Sequence, residues 1–125
     1  VVGGPMAKFP NLRLAILEAG CGWVPAWVER LDEHYGLLSH QAPYLTAKPS
    51  EYLLNRAFYA CDGGETMLPA VVEIMGEESV LYASDYCHWD CSFPDSARLI
   101  SSRLDLKESA KTRILGMNAA QLYAL

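Results

Sequence analysis

Three short apolar runs divide the chain, at residues 12–17, 57–61 and 80–83. Each run is almost continuous rather than alternating between apolar and polar residues, which is typical of strands that are covered on both faces of a parallel sheet. Proline, asparagine or glycine residues lie close to each run and provide the turns that bound it. The pattern therefore predicts three buried strands.

Amphipathic helices are predicted between the strands. Residues 23–35 begin a helix that places four apolar side chains on one face, at steps of four, four and three: Trp27, Leu31, Tyr35 and Leu38. A second helix is predicted at about 66–75, and Gly76 ends it. A third opens near residues 92–94 and uses three apolar residues: Ala97, Ile100 and Leu104.

Shorter elements complete the pattern. Residues 39–50, which include two prolines, predict a connecting loop that leads into a helical turn at 50–55. Residues 105–108 resemble a capping box and predict the start of a fourth helix. Asn118 is placed to cap a final short helix. We find no internal repeat and no linker, so residues 1–125 predict a single domain.

The order of elements is strand, helix, strand, helix, strand and then helices. This alternation predicts an α/β fold of parallel β/α units with right-handed crossovers. Three strands also leave two sheet edges with unpaired backbone donors and acceptors, which proteins normally cover.

Composition narrows the functional classes. The chain has 125 residues, 51% of them hydrophobic, which suffices for one small domain with a buried core. Its formal net charge of −5 gives no basic surface for nucleic acid. No apolar stretch approaches the roughly 18 residues of a membrane span. The first residues contain neither an initiator methionine nor a signal pattern, and they read as a start within a longer sequence. We expect a cytoplasmic protein with four reduced cysteines.

The strongest signal from the residues is the chemistry at the three strand ends. Glu18 follows the first run, Asp62 the second and Asp85 the third. The carboxyl ends of parallel strands lie at one edge of the sheet, where functional groups of α/β proteins collect. The four cysteines, at positions 21, 61, 87 and 91, fall on the same edge.

Each candidate also has a structural interpretation. Asp85 is a candidate metal ligand or general base, but it could instead cap a turn. Glu18 follows an apolar run and needs a partner if it is buried, which a salt bridge to a neighbouring strand would supply. His88 is a catalytic or metal-binding candidate, or a histidine at the solvent edge. Trp89 could line a pocket, whereas Trp23 and Trp27 are expected to pack in the core. A zinc or redox site of four cysteines is a weaker alternative.

Several segments resemble one known family. Residues 9–25 and 28–32 resemble the region of the sixth strand in the amidohydrolase-2 family, which includes the aminocarboxymuconate-semialdehyde decarboxylase-like enzymes. Residues 48–52 (KPSEY) resemble its loop before the seventh strand, and residues 84–90 (SDYCHWD) its eighth-strand motif. Residues 114–123 resemble its closing helix. The match follows the family's order and spacing along nearly the whole chain.

The resemblance implies that residues 1–125 are the last three strands of a metal-dependent (β/α)₈ barrel plus C-terminal helices. Asp85 would then be the metal-ligating aspartate of strand eight, holding a divalent ion such as zinc. Glu18 stands where decarboxylating relatives carry a histidine, so hydrolysis and decarboxylation both remain open. Cys87 replaces the usual proline, which should soften the turn. Asp62, His88 and Trp89 complete the candidate substrate pocket.

The implied function is hydrolysis or non-oxidative decarboxylation of a small carboxylic or aromatic acid, with Asp85 and Glu18 as catalytic candidates. A barrel has about 250 residues, and the family's His-x-His pair and fifth-strand histidine would lie upstream of this sequence. If the sequence is the entire polypeptide, we expect it to be inactive alone. The alternative is an α/β module that acts by binding or by forming a homo-oligomer through its open sheet edges.

Overall fold

The structure, a computed structural model, describes residues 1–125 apart from the side chain of Asn55. Its three strands, β1 (Leu14–Ile16), β2 (Ala57–Cys61) and β3 (Val80–Tyr82), form one parallel sheet in the order β1-β2-β3. The predicted α/β class and the parallel sheet are confirmed. The first strand is shorter than the apolar run at 12–17, because pairing with β2 begins at Leu14.

The described residues also form seven α-helices, in the order α1 (Pro5–Lys8), α2 (Val24–Leu38), α3 (Pro49–Arg56), α4 (Leu68–Met75), α5 (Ser96–Ser101), α6 (Glu108–Thr112) and α7 (Asn118–Tyr123). A 3₁₀ turn at Ser39–Gln41 follows α2, and a π-helical segment at Arg113–Met117 joins α6 to α7. In the part of the chain that the structure describes, no helix is long and apolar enough to cross a bilayer.

The continuously apolar sequence of β2 agrees with its position at the centre of the sheet. All five residues of β2 are buried, whereas the three residues of β1 are only half-buried. Strand β2 lies between β1 and β3, so both of its edges are covered by paired backbone. The outer strands β1 and β3 each pair with β2 along one edge.

The helices cover one face of the sheet and form the main core. Alternate strand residues point to this face, among them Tyr59 and Cys61 of β2 and Val80 of β3. Helix α2 contributes Val24 and Val28, and further helical residues complete the cluster: Leu68, Val71, Met75, Ile100, Ala110 and Ile114. Burial of these apolar side chains is the main force that holds the helices on the sheet.

The apolar stripe predicted on α2 is rotated relative to its buried face. Val24 and Val28 are the buried residues of this helix, while Trp27 is 56% and Leu38 is 42% exposed. Leu31 and Tyr35 lie at the boundary and are partly buried. The prediction was wrong about the centre of the stripe, because α2 packs mainly against α3 and α4 and this packing turns Val24 and Val28 inward.

The predicted end of the third helix was also wrong. Helix α5 begins at Ser96 and ends at Ser101, so Leu104 lies beyond it and is 100% exposed. Ile100 is buried as expected, whereas Ala97 is exposed.

The capping predictions for the last two helices differ from the structure. Lys107 precedes α6, and its side chain makes no capping hydrogen bond; Asp105 instead pairs with Arg103 at 2.8 Å. Asn118 makes no capping bond because the helix continues into it through the π-helical segment. Its buried amide donates to the carbonyl oxygens of Glu77 and Val80, both at 2.7 Å. Asn118 therefore fastens the C-terminal helices to β3.

Arg56, directly before β2, anchors the segment that precedes β1. Its guanidinium donates to the carbonyl oxygens of Met6, Phe9 and Pro10 at 2.7 to 3.1 Å. The guanidinium carbon lies 5.2 Å from the centre of the Tyr52 ring. This arrangement satisfies three carbonyl groups and holds the segment before β1 against the C-terminal end of α3.

Candidate active site

The carboxyl ends of all three strands open into one cavity of about 460 Å³. Its lining includes one acidic side chain after each strand, namely Glu18, Asp62 and Asp85, and a further one, Glu65. The remaining lining residues are Ala19, Gly20, Ala60, Cys61 and Ala83. The structure thus brings together the three carboxylates that strand order alone placed at one edge.

Asp85 forms a close pair with His88. Its Oδ1 atom lies 2.7 Å from Nδ1 of His88, and its backbone carbonyl accepts a hydrogen bond from the His88 amide at 3.0 Å. This short turn follows β3 and contains a cis peptide bond between Tyr86 and Cys87. Among the described residues, none donates a hydrogen bond to the second carboxylate oxygen of Asp85, which leaves that oxygen available as a ligand.

The carboxylate of Asp85 also affects the pKa of His88. The hydrogen bond and the negative charge of Asp85 raise the pKa of His88, and the charges of Glu18 and Asp90 add to this effect. His88 is therefore protonated over a wider pH range than an isolated histidine. The raised pKa therefore favours the cationic form of His88 beside the carboxylates of the site.

Glu18 and Asp85 share an unusual backbone conformation. Their φ angles are +58° and +52°, in the left-handed region that residues other than glycine rarely adopt. Both residues lie where a strand ends and the chain turns towards a helix. Such backbone strain is concentrated at functional sites, where the surrounding structure holds it in place.

The pKa of Asp62 is raised in the acidic surroundings of the cavity. Partial burial raises its pKa, and the negative charges of Glu65, Asp85 and Asp90 raise it further. Crowded carboxylates disfavour one another's ionisation, so Asp62 holds a proton more readily than an isolated aspartate.

Glu65 is the residue that the sequence interpretation missed. Its carboxylate accepts backbone hydrogen bonds from Cys21, Gly22 and Asp62 at 2.8 to 3.2 Å. A signal was present in the sequence, because residues 62–65 (DGGE) place an acidic side chain three positions after Asp62, as in a capping box.

The cysteines and Trp89 differ in burial. Cys21 and Cys61 are buried, and burial raises the pKa of both thiols, that of Cys61 to about 12. Cys87 is exposed, and Trp89 is 95% exposed and does not line the cavity. All four cysteines are free.

The donors of this cavity match a hard divalent cation in type. Carboxylate oxygens are the ligands preferred by magnesium and manganese, and two of the acidic residues, Asp85 and Glu18, follow the two outer strands on either side of β2. Across the described residues, however, no group of three or more His, Cys, Asp or Glu side chains is placed to hold a metal ion. This finding also excludes a four-cysteine site.

A family model described as Amidohydrolase matches residues 2–125. The chain belongs to the amidohydrolase family. This finding confirms the resemblance carried by residues 9–25 and 84–90. None of the curated proteins matches this amidohydrolase-family chain.

Solved structures show the same arrangement of elements. The chain is 28% identical to 5-carboxyvanillate decarboxylase from Sphingomonas paucimobilis, with a TM-score of 0.83 over 99% of this chain. An amidohydrolase from Mycobacterium avium subsp. paratuberculosis is 23% identical, with a TM-score of 0.84 over 100% of this chain. A 5-carboxyvanillate decarboxylase from Novosphingobium aromaticivorans, complexed with manganese and a nitrobenzoic acid, is 22% identical, with a TM-score of 0.76 over 96%.

This amidohydrolase-family chain spans 37%, 31% and 35% of the lengths of those three chains. Its three-stranded sheet and flanking helices thus correspond to part of a (β/α)₈ barrel, as the resemblance implied.

Proposed function

We propose that this chain forms the last three β/α units of an amidohydrolase-type barrel, strands six to eight. The proposed reaction is hydrolysis or non-oxidative decarboxylation of a small aromatic or carboxylic acid at a divalent metal. The observation that carries the proposal is the single cavity at the strand ends, which collects Glu18, Asp62 and Asp85. The similarity to a 5-carboxyvanillate decarboxylase supports an aromatic acid as the substrate class.

In this proposal Asp85 is the metal ligand of the chain, through the carboxylate oxygen that has no partner among the described residues. A bound divalent metal would supply Lewis-acid chemistry, polarising a substrate oxygen or activating water. The carboxylate-rich donors and the manganese in a solved relative favour manganese, although the resemblance pointed to zinc. The choice between these two metals is open to measurement.

The remaining residues have distinct proposed roles. His88, whose cationic form Asp85 favours, attracts the carboxylate of an acidic substrate towards the cavity. Trp89 lies outside the cavity lining and is assigned no contact with the substrate. Glu18 exchanges a proton with the reacting group. In decarboxylation an acid protonates the carbon that loses CO₂, and in hydrolysis a base takes a proton from water. Asp62 is suited to hold such a proton because its pKa is raised.

The test measures manganese binding to the chain by the relaxation rate of water protons. We expect weak binding, because no described group supplies three ligands, and we expect Asp85→Asn to lower the affinity at least tenfold. The matched control is Asp95→Asn, since Asp95 is exposed and pairs with Arg98. Unchanged affinity in Asp85→Asn would reject Asp85 as the ligand. We also expect no turnover of aromatic acids by the chain alone.

A second candidate function is binding or self-association without catalysis. Two observations favour it: β1 and β3 each pair along one edge only, and an apolar groove of about 390 Å³ lies beside β1. Trp23, Trp27 and Leu31 contribute to this groove. Its test is the oligomeric state of the chain.

A further inference from the structure

The side chain of Glu65 joins two loops that are distant in sequence. One carboxylate oxygen, Oε1, accepts the Asp62 amide at 2.8 Å, just after β2, and also the Cys21 amide at 3.2 Å. The other, Oε2, accepts the amides of Cys21 and Gly22, both at 2.9 Å, in the loop after β1. The Cys21 thiol adds a weaker contact at 3.5 Å. These loops carry Asp62 and Glu18, two of the three candidate site carboxylates.

The loop after β1 is shaped to fit this carboxylate. A Cβ atom on Gly20, which has φ +59°, would lie 3.2 Å from Glu65 Oε1. A Cβ atom on Gly22 would lie 3.1 Å from the Met67 side chain and 3.4 Å from Glu65 Oε2. Two glycines therefore allow the backbone to approach Glu65 closely enough to donate its amides.

The backbone of Glu65 is itself held by a third part of the chain. Arg103 Nη1, in the segment after α5, donates to the carbonyl oxygens of Gly63 and Glu65 at 3.0 and 2.9 Å. Gly63 also lies against α5, since a Cβ atom there would be 2.7 Å from the Leu99 side chain. Glu65 is consequently fixed at both its backbone and its carboxylate.

We propose that Glu65 is a positioning residue, which clamps the loop carrying Glu18 against the end of β2 and so sets the spacing between Glu18 and Asp62. This inference rests on the proposed function, because the spacing matters for catalysis only if the cavity is the active site. Bonds from backbone amides to an ionised carboxylate are stronger than those between neutral groups, which suits a clamp between two loops.

Two substitutions separate the reach of Glu65 from its charge. Glu65→Gln keeps the length, but its amide nitrogen cannot accept a hydrogen bond. Either the Gly22 amide or the Asp62 amide therefore loses its acceptor, and the Cys21 amide keeps only one of its two. Glu65→Asp keeps the charge but is one methylene shorter, so we expect it to retain the Asp62 amide and release Cys21 and Gly22. Glu73→Gln on the exposed side of α4 is the matched control.

The experiment records amide hydrogen exchange and the titration of the Asp62 carboxyl by NMR. In Glu65→Gln we expect exchange at Gly22 or at Asp62 to be at least about tenfold faster, a smaller increase at Cys21, and shifted amide signals from Glu18 to Gly20. The pKa of Asp62 should fall, because the negative charge of Glu65 contributes to raising it. In Glu65→Asp that pKa should stay raised while the Cys21 and Gly22 amides exchange faster.

Two results would overturn the inference. One is unchanged exchange at Cys21, Gly22 and Asp62 in both variants. The other is faster exchange that extends equally to central strand amides such as Tyr59, which would indicate general destabilisation. If Glu65→Gln does not fold, Glu65→Asp decides the question alone. Failure of the manganese test with Asp85→Asn would leave these amide measurements unaffected, so the two proposals fail separately.

Discussion

The pair of Asp85 and His88 is an electrostatic unit whose two members lie three residues apart. The carboxylate orients the imidazole through Nδ1 and leaves Nε2 directed elsewhere. The pair is partly exposed, with 30% of the Asp85 side chain and 58% of the His88 side chain accessible, so water weakens the interaction. Its main consequence is the charge of His88 rather than the stability of the fold.

We expect Asp85→Asn to lower the pKa of His88, because the substitution removes the hydrogen bond and the charge that raise it. The measurement is an NMR titration of the imidazole protons in buffer that contains a chelator, with His34 and His40 as internal references. Since the folded pKa of His88 is raised, the pair stabilises the fold at low pH, and this contribution disappears as the pH rises through that pKa. Asp95→Asn should leave the His88 titration unchanged, and an equal shift in both variants would contradict the assignment.

The left-handed backbone at Glu18 predicts a gain in stability when its side chain is removed. Glycine adopts φ near +58° without strain, so we expect Glu18→Gly to raise the free energy of unfolding by about 0.5–1 kcal/mol. Urea denaturation checks this value. Glu29→Gly, within α2, should instead lose about 1 kcal/mol, because glycine disfavours a helix interior. Equal losses in the two variants would show that Glu18 is not strained.

The sequence predicted the position of some site residues and not of others. Asp62 and Asp85 were identifiable, because an acidic side chain directly after a buried strand is conspicuous and strand ends share an edge. The role of Glu65 was not identifiable, since its hydrogen-bond partners Cys21 and Gly22 are more than forty positions away. The exposure of Trp89 was equally hidden, because the direction of a side chain in a loop depends on the fold of that loop.

The C-terminal helices illustrate how an element is attached by one buried polar residue. Asn118 is fully buried and donates to two carbonyl groups, one of them on β3. Within the described residues its own Oδ1 atom has no hydrogen-bond partner. The amide donors therefore carry its contribution, and they link α7 to the far end of the strand that leads to Asp85.

We expect Asn118→Ala to lower the free energy of unfolding by about 2–3 kcal/mol, because two buried carbonyl groups lose their donor and a small cavity forms. Equilibrium denaturation followed by circular dichroism measures the change. Gln121→Ala, an exposed position on the same helix, should change stability by less than about 0.5 kcal/mol. A loss in Asn118→Ala no larger than in this control would show that the attachment lies elsewhere.

Element boundaries were predictable where the backbone chemistry is local. Gly76 ends α4 with φ +88°, as expected from a glycine after an apolar helix. Helix α5 ended earlier than predicted, because the apolar residue Leu104 continues the periodicity of α5 without meeting a partner. The periodicity of apolar residues indicates which face of a helix could be buried, whereas packing decides which of those residues become buried.

At the scale of the whole molecule, the sheet ends in two strands that are paired on one side. Strand β1 is only half-buried, and the groove beside it is lined mainly by apolar residues, including Trp23 and Trp27. Exposed backbone edges and apolar patches both favour association. The second candidate function predicts self-association, which can be measured directly.

If the groove drives association, the mass of the chain measured by light scattering should rise with concentration. Trp27→Lys should shift the distribution towards the monomer, because it places a charge at the groove. Leu104→Lys is the matched control, since Leu104 is fully exposed but does not line the groove. A mass of one chain at every concentration, or equal effects of the two substitutions, would count against this function.

The sequence by itself determined the order of strands and helices, the parallel sheet and the placement of three carboxylates at one edge. These features follow from local periodicity and from the geometry that parallel strands share. The tertiary structure decided the rest: which face of α2 is buried, the pairing of Asp85 with His88, the attachment through Asn118 and the clamp made by Glu65. Each of these depends on the distance and direction between side chains and backbone groups, which only the folded chain fixes.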